Sequence, residues 1–425
     1  MKNLYEIVVI AVFLITFGMI ISEKVNRTVA ALLGAAVLLI AKIIDQGKAV
    51  SFIDYTTIGV LIGMMIIVAI TKRTGLFQYL AIKSAKIVKG DPFKLIIVFG
   101  IITGMISAFL DNVTTVLLMA PVTLVIARML KINPIPFMMT EVIASNIGGT
   151  ATLIGDPPNI MIGSEAGLGF MDFIKNLSPI VMLILVVITF LLSFVYRKEL
   201  TVNEELKDNI MTLDDRSAIV DKPLLIKSLS VLGLVILGFF LHEKLGYESS
   251  IVAIGGATLL LFIGRVDVEE ILLEIEWPTI FFFIALFIIV GTLEEVGVIS
   301  QIAKLIMSVT QGNLMITGLI ILWVSAILSA FLDNIPFVAT MIPLIKAMGQ
   351  MSGMDIMPLW WALSLGACLG GNGTLIGASA NVVVAGILEK EGQKISFREF
   401  TRIGFPMMIV SIVISTVYLL LFYLI

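Results

Sequence analysis

Two aspartates set in apolar sequence are the residues of this chain best placed to do chemistry. Asp111 and Asp333 sit in the same hexapeptide, Ser107-Ala108-Phe109-Leu110-Asp111-Asn112 and Ser329-Ala330-Phe331-Leu332-Asp333-Asn334, 222 residues apart. An ionisable side chain at the centre of a membrane helix costs about 2.5–3.5 kcal/mol on insertion scales. Accident rarely leaves that cost in place twice at matching positions. A carboxylate in such a place binds a cation or carries a proton. Asp111 and Asp333 are therefore candidate proton carriers, and Asp111/Asn112 or Asp333/Asn334 are candidate Na⁺ sites. Ser107, Asn112, Thr114 and Thr115 add hydrogen-bonding groups around the first aspartate. Ser329, Asn334 and Thr340 do so around the second.

A second pair of constellations is rich in glycine. The first runs Asn146-Ile147-Gly148-Gly149-Thr150-Ala151-Thr152-Leu153-Ile154-Gly155-Asp156-Pro157-Pro158-Asn159. Its partner runs Cys368-Leu369-Gly370-Gly371-Asn372-Gly373-Thr374-Leu375-Ile376-Gly377-Ala378-Ser379-Ala380-Asn381. Adjacent glycines and a Pro-Pro pair do not sit in an unbroken helix. Each stretch predicts two half-helices across an unwound segment, whose ends offer free N–H and C=O groups to ions. Close packing through small residues would explain the glycines. It would not explain Asn146, Thr150, Thr152, Asp156 and Asn159, nor Asn372, Thr374, Ser379 and Asn381. These residues, with Gly149 and Gly371, complete the candidate substrate and ion site. Glu141, five residues before Asn146, is a third candidate proton carrier. Its repeat partner is Leu363, so it carries a proton in one half only or is an interfacial or paired glutamate.

The elements that must position these groups follow from composition and repeat. The chain has 425 residues, 59% hydrophobic and 14% charged, with a mean hydropathy of +1.10. Soluble domains are nearer 45–50% apolar and 25% charged. Runs such as 178–195 and 403–425 are about long enough to cross a bilayer as helices. The fold class is an all-α polytopic membrane protein. Beyond the aspartates, the same offset aligns Asp54-Tyr55-Thr56-Thr57-Ile58 with Glu276-Trp277-Pro278-Thr279-Ile280, and Pro121 with Pro343. Membrane segments are predicted near 5–22, 27–44, 55–71, 134–165 and 172–196, and near 227–244, 249–266, 277–293, 356–387 and 394–424. The segment at 5–22 reads as a membrane helix and not as a cleaved signal peptide.

Before the fourth segment of each half lies a pair of apolar arms, 93–110 with 113–130 and 315–332 with 335–349, meeting at Asp-Asn. The arms are either re-entrant or both spanning, and the tips lie either near the midplane or wet at the surface. In each case a half has odd parity. The halves are then inverted repeats, 1–196 and 223–425, each of five helices, one broken, plus a helical hairpin. Residues 197–222 form a linker. Loops near 23–27, 72–94, 128–131, 197–227, 265 and 390–402 carry most of the Lys and Arg. The positive-inside rule makes that side cytoplasmic. The linker is then cytoplasmic, both termini are extracytoplasmic, and the plasma membrane is the expected location.

Several functions are excluded or disfavoured. The one cysteine, Cys368, and the one histidine, His242, give neither a disulfide framework nor a metal cluster. No phosphate-binding loop ending in Gly-Lys-Ser is present. No nucleophile–base pair can be assembled, so an enzyme is not expected. Neither a cofactor beyond a coupling Na⁺ or H⁺ nor a nucleic-acid partner is expected.

Ser107–Pro121, Asn146–Asn159, Ser329–Pro343 and Gly370–Asn381 resemble the ion transporter superfamily. The nearest resemblance is to its branch of arsenite permeases (ArsB), NhaD-type sodium/proton antiporters and pink-eyed-dilution P proteins. Citrate and dicarboxylate carriers are more distant relatives. Their hairpin tips read Ser-Asn-Thr, whereas here Asp111 and Asp333 stand at the serine position and Val113 and Ile335 at the threonine position. Added carboxylates argue against a carboxylate substrate. The resemblance implies a transport unit of hairpins and broken helices on a scaffold, alternating access, a homodimer, and an ATPase subunit if the chain is of arsenite type. It implies proton-coupled export of a small inorganic species such as arsenite or antimonite, with Na⁺/H⁺ antiport or a P-protein-like anion path as alternatives.

Overall fold

The computed structural model describes residues 2–22, 24–202 and 204–425. No strand occurs among them. In the first half the helices are α1 (Lys2–Ser22), α2 (Arg27–Ile40), α3 (Gln46–Ser51), α4 (Tyr55–Lys72), α5 (Leu76–Ile87), α6 (Pro92–Ser107), α7 (Asn112–Leu130), α8 (Ile135–Gly149), α9 (Pro157–Ala166), α10 (Phe170–Asn176) and α11 (Ser178–Val195). A short α12 (Glu204–Met211) lies in the linker. The second half has α13 (Lys222–Leu245), α14 (Ser249–Gly264), α15 (Val268–Leu273), α16 (Trp277–Glu295), α17 (Val298–Thr310), α18 (Leu314–Phe331), α19 (Asn334–Ser352), α20 (Met357–Gly370), α21 (Ser379–Lys390) and α22 (Phe397–Leu419), which continues as a π turn. Each helix from α2 to α9 begins 222 residues before its counterpart from α14 to α21.

The starts are written in local chemistry. Asn26, Asp54, Asp91, Asp111, Asn313 and Asp333 each accept a hydrogen bond from a backbone N–H of the first turn that follows. Such caps satisfy donors that a helix leaves unpaired. Ser396 and Glu399 close a reciprocal capping box on α22.

Four details differ from the sequence expectation. Among the described residues, eight helices are long and apolar enough to cross a bilayer: six of the ten predicted segments and two hairpin arms, α7 and α18, whereas α2 and α14 are shorter and the other two predicted segments are broken into α8–α9 and α20–α21. The stretch 72–94, expected as a loop, holds α5. Its charged face hid an apolar one formed by Phe77, Ala81 and Ala85. The segment 172–196 is split at Leu177 into α10 and α11. The linker is folded, and α13 begins at its last residue, Lys222. The Lys86 ammonium donates to Asp215 at 2.8 Å and holds that carboxyl below the usual carboxylate range. Gly75, at φ +81°, approaches the Ala218 carbonyl so closely that a Cβ would lie 1.8 Å from its oxygen.

Packing across the halves sets the centre. Helix α4 packs along α14, and α2 along α16, while α6 packs on α8 and α18 on α20. The first two pairings join one half to the other, and the last two stay within a half.

Candidate functional site

Each hairpin turns through a few residues and restarts as a helix on its aspartate. Asp111 accepts from the Thr114 N–H at 2.8 Å, and Asp333 from the Ile335 N–H at 3.1 Å. Asn112 and Asn334 are then the first residues of α7 and α19, both buried. They point to different partners. Asn112 Nδ2 donates to Asn146 Oδ1 at 3.0 Å. Asn334 Nδ2 donates to Asp156 Oδ2 at 3.1 Å.

The broken helices form as the glycines and prolines predict. Helix α8 stops at Gly149 and α9 starts at Pro157, and the second half repeats the break between Gly370 and Ser379. Unwound backbone needs partners, and two asparagines supply them. Asn159 Nδ2 lies 3.1 Å from the Thr150 carbonyl and 2.9 Å from that of Thr152. Asn381 Nδ2 lies 2.8 Å from the Gly371 carbonyl and 2.9 Å from that of Thr374. Asn146 Nδ2 bridges the halves, donating to Asn372 Oδ1 at 2.9 Å and Asn381 Oδ1 at 3.0 Å. Ser364 closes the reverse link, donating to Asn159 Oδ1 at 2.6 Å.

Both tips reach one central cavity of about 40 Å³. Asp111, Asn112, Asn334, Asp156 and Ser379 line it, with Arg27, Glu276 and Thr279. The tips are therefore neighbours and not wet turns on opposite faces. Three carboxylates, Asp111, Asp156 and Glu276, share this wall with one guanidinium, that of Arg27. Arg27 is committed elsewhere. Its Nη1 donates to Asp333 Oδ2 at 2.7 Å and to Ser379 Oγ at 2.5 Å. Ser379 Oγ in turn donates to Asp333 Oδ2 at 2.9 Å. Among the described residues Asp111 has no ion-pair partner. Such a wall suits a cation, a proton or a hydrogen-bonding neutral solute, and it repels a polyanion.

The remaining expected site residues are supports and not cavity wall. Thr152 and Thr374 donate to the Ala108 and Ala330 carbonyls, tying each break to its hairpin. Ser329 donates to the Ala367 carbonyl at 2.6 Å, and Thr150 to that of Asn146 at 2.9 Å. Thr114 offers its backbone N–H to Asp111. Ser107 is buried, and its hydroxyl has no hydrogen-bond partner among the described residues. Gly149 and Gly371 let the broken strands of backbone approach Gly155 and Gly377. Asn146, Asn159, Asn372 and Asn381 hold the breaks together behind the wall. Glu141 is off the cavity, on α8, where it accepts from the Thr123 hydroxyl.

Arg27, Glu276 and Thr279 are the polar wall residues that the sequence reading missed. A signal existed for two of them. The repeat pairs Asp54 and Thr57 with Glu276 and Thr279. In each copy the threonine hydroxyl donates to the acid, at 3.1 Å in the second.

Residues 17–366 match a protein family described as citrate transporter. A 46 kDa membrane protein of Mycobacterium leprae is 44% identical over 99% of each chain. An uncharacterized transporter of Mycobacterium tuberculosis is 43% identical over 98% of this chain and 99% of that one. The human P protein is 38% identical over 95% of this chain and 58% of that protein, in keeping with the resemblance carried by the Asp-Asn tips. The solved structure of the Alcanivorax borkumensis YdaH transporter, described as having an unusual topology, shares the fold at a TM-score of 0.57 and 15% identity, covering 88% of this chain and 86% of that one.

Proposed function

Because the chain belongs to the citrate transporter family, a family of membrane transporters and not of enzymes, we propose that it is a secondary carrier that exports a small inorganic species, such as arsenite or antimonite, in exchange for protons. The observation that carries this reading is the wall shared by Asp111, Asp156 and Glu276 around a cavity of about 40 Å³. A tricarboxylate would meet three like charges there with one committed arginine to offset them, and like charges at close range repel strongly. A neutral hydroxide such as arsenite would instead hydrogen-bond to Asn112, Asn334 and Thr279. Asp111, which has no cation beside it among the described residues, would take and release the coupling proton.

The element correspondence supports reading 1–196 and the part after the linker as inverted repeats, with both tips meeting between them. The clustering of Arg73 with Glu270 and Glu274, of Lys86 with Asp215 and of Arg128 with Glu391 supports placing the basic loops on one face, read as cytoplasmic. In that orientation both termini face outward across the plasma membrane.

Purified protein in proteoliposomes with an imposed pH gradient tests the proposal. Arsenite should accumulate against its gradient, and Asp111→Asn should sharply lower the accumulation. No accumulation in the parent protein would overturn it. Na⁺/H⁺ antiport is the second reading, favoured by the same unpaired carboxylate, since Na⁺ and H⁺ would compete for Asp111. A Na⁺ pulse that changes the internal pH without arsenite would establish that reading instead. The acidic wall speaks against an anion path, so chloride should move no faster than in empty vesicles.

A further inference from the structure

Arg27 has no basic counterpart in the other half, where the repeat places Ser249. It is the first residue of α2, and α2 is fixed to α16: the Thr28 hydroxyl donates to the Pro278 carbonyl at 2.8 Å. The guanidinium also lies 5.3 Å from the centre of the Phe282 ring on α16, a favourable cation–π distance. Glu276, just before α16, lines the same central cavity as Arg27. Arg27, Phe282 and Glu276 thus belong to one packed body. Asp333 and Ser379 belong to another, the α18–α19 hairpin and the broken α20–α21 helix. The Arg27–Asp333–Ser379 bridge joins the two bodies and must break whenever they move apart.

The bridge also stands in a wall. A neighbouring cavity of about 330 Å³ is lined by Asn26, Asp333 and the apolar residues around them. Arg27 and Ser379 are the two residues that line both this cavity and the central one. At the repeat-matched positions stand Ser249, in the second half, and Pro157, in the first, so no such bridge can form at Asp111.

We propose that Arg27 is the gate between the neighbouring and central cavities: its bridge to Asp333 and Ser379 closes the wall, and solute passes only when the guanidinium leaves Asp333. Glu276 offers the displaced guanidinium a second carboxylate, on the central side and on the same body as Arg27. A residue that gates in this way acts on passage and not on solute binding. The inference rests on the reading that solute crosses the central cavity.

The test uses full-length protein in nanodiscs, with Met65→Cys as a reporter in a Cys368→Ala background. Met65 lines the central cavity and not the neighbouring one. Arg27→Ala and Asp333→Asn should each speed maleimide labelling of the reporter by about tenfold or more, equivalent to roughly 1.4 kcal/mol. The exchange of Arg27→Asp with Asp333→Arg should return labelling toward the parent rate. Buried Cys368, left native in a parallel set without the reporter, should stay unreactive, which separates opening of a gate from general loosening. Parent-rate labelling in Asp333→Asn, a change that keeps the side chain's shape, would overturn the gate even if Arg27→Ala fails to fold. Faster labelling without flux of any solute tested would leave the gate standing and overturn the transport reading instead.

Discussion

The two hairpin tips have the same six residues and different surroundings. Asp333 is met by Arg27 and Ser379, whereas Asp111 caps its helix and has no ion-pair partner among the described residues. Asn334 turns to Asp156, and Asn112 turns to Asn146. The differences arise at the places where the repeat fails: Arg27 against Ser249, Ser379 against Pro157, Asp156 against Ala378 and Asn146 against Cys368. Two carboxylates in identical hexapeptides thus meet unmatched partners. One became part of a bridge between bodies. The other was left open to a proton or cation.

The largest expected effect tests that division. Asp111→Asn should lower proton-coupled flux by about 10–100-fold, the equivalent of the ~1.5–3 kcal/mol carried by a hydrogen bond to a charged group. Asp333→Asn should instead leave solute movement and weaken its coupling, because it frees Arg27 without emptying the central wall. Parallel measurements of solute flux and of proton flux in proteoliposomes separate the two. Equal losses of both fluxes in both variants would make the tips equivalent.

The helix crossings beneath the tips also differ between halves. A Cβ on Gly148 would lie 1.9 Å from the Gly104 oxygen, whereas one on Gly370 would lie 2.7 Å from the Ala326 oxygen. Neighbouring backbone cannot give way as a side chain can, and overpacking typically costs about 1–3 kcal/mol. Gly148→Ala should therefore lower the Tm of the purified protein clearly more than Gly370→Ala. Equal shifts would mean that the tighter crossing relaxes.

How much of this was legible follows from where each signal lies. The tips and breaks stood out because they violate local rules: charge in apolar sequence, paired glycines and prolines in a helix. Asp156 and Ser379 were found through the same stretches. Arg27 was not, because it reads as an ordinary basic residue at the edge of a loop. Its partner lies 306 positions away, and only the cross-half packing of α2 on α16 brings them together. Glu276 was visible as a repeat match to Asp54 but not as a site, because nothing local shows that a helix start faces a cavity. Helix α5 was lost for the opposite reason. Lys83 and Lys86 marked its solvent face so strongly that the apolar face beneath went unread.

Asn146 gives a smaller test. Replacing it with cysteine, the residue of the other half, removes its bonds to Asn112, Asn372 and Asn381. Interhelical hydrogen bonds in membranes average about 0.6 kcal/mol, so the loss should be about 1–2 kcal/mol in stability, read as a fall in Tm. A neutral result would show that the asparagine cluster aligns the halves without holding them.

The smallest effect is expected at Glu141, where the repeat pairs a carboxylic acid with Leu363. Glu141 is buried on α8 and away from the cavity, and its contact is the Thr123 hydroxyl on α7. Glutamine keeps an oxygen that can accept the same bond and fits the same space. Glu141→Gln should therefore change coupled flux by less than about twofold, equivalent to roughly 0.4 kcal/mol. If Glu141 carried the coupling proton, the amide could not replace it, and coupling would collapse as it should in Asp111→Asn. Flux in this one variant thus decides whether the acid unique to the first half serves transport or only joins α7 to α8.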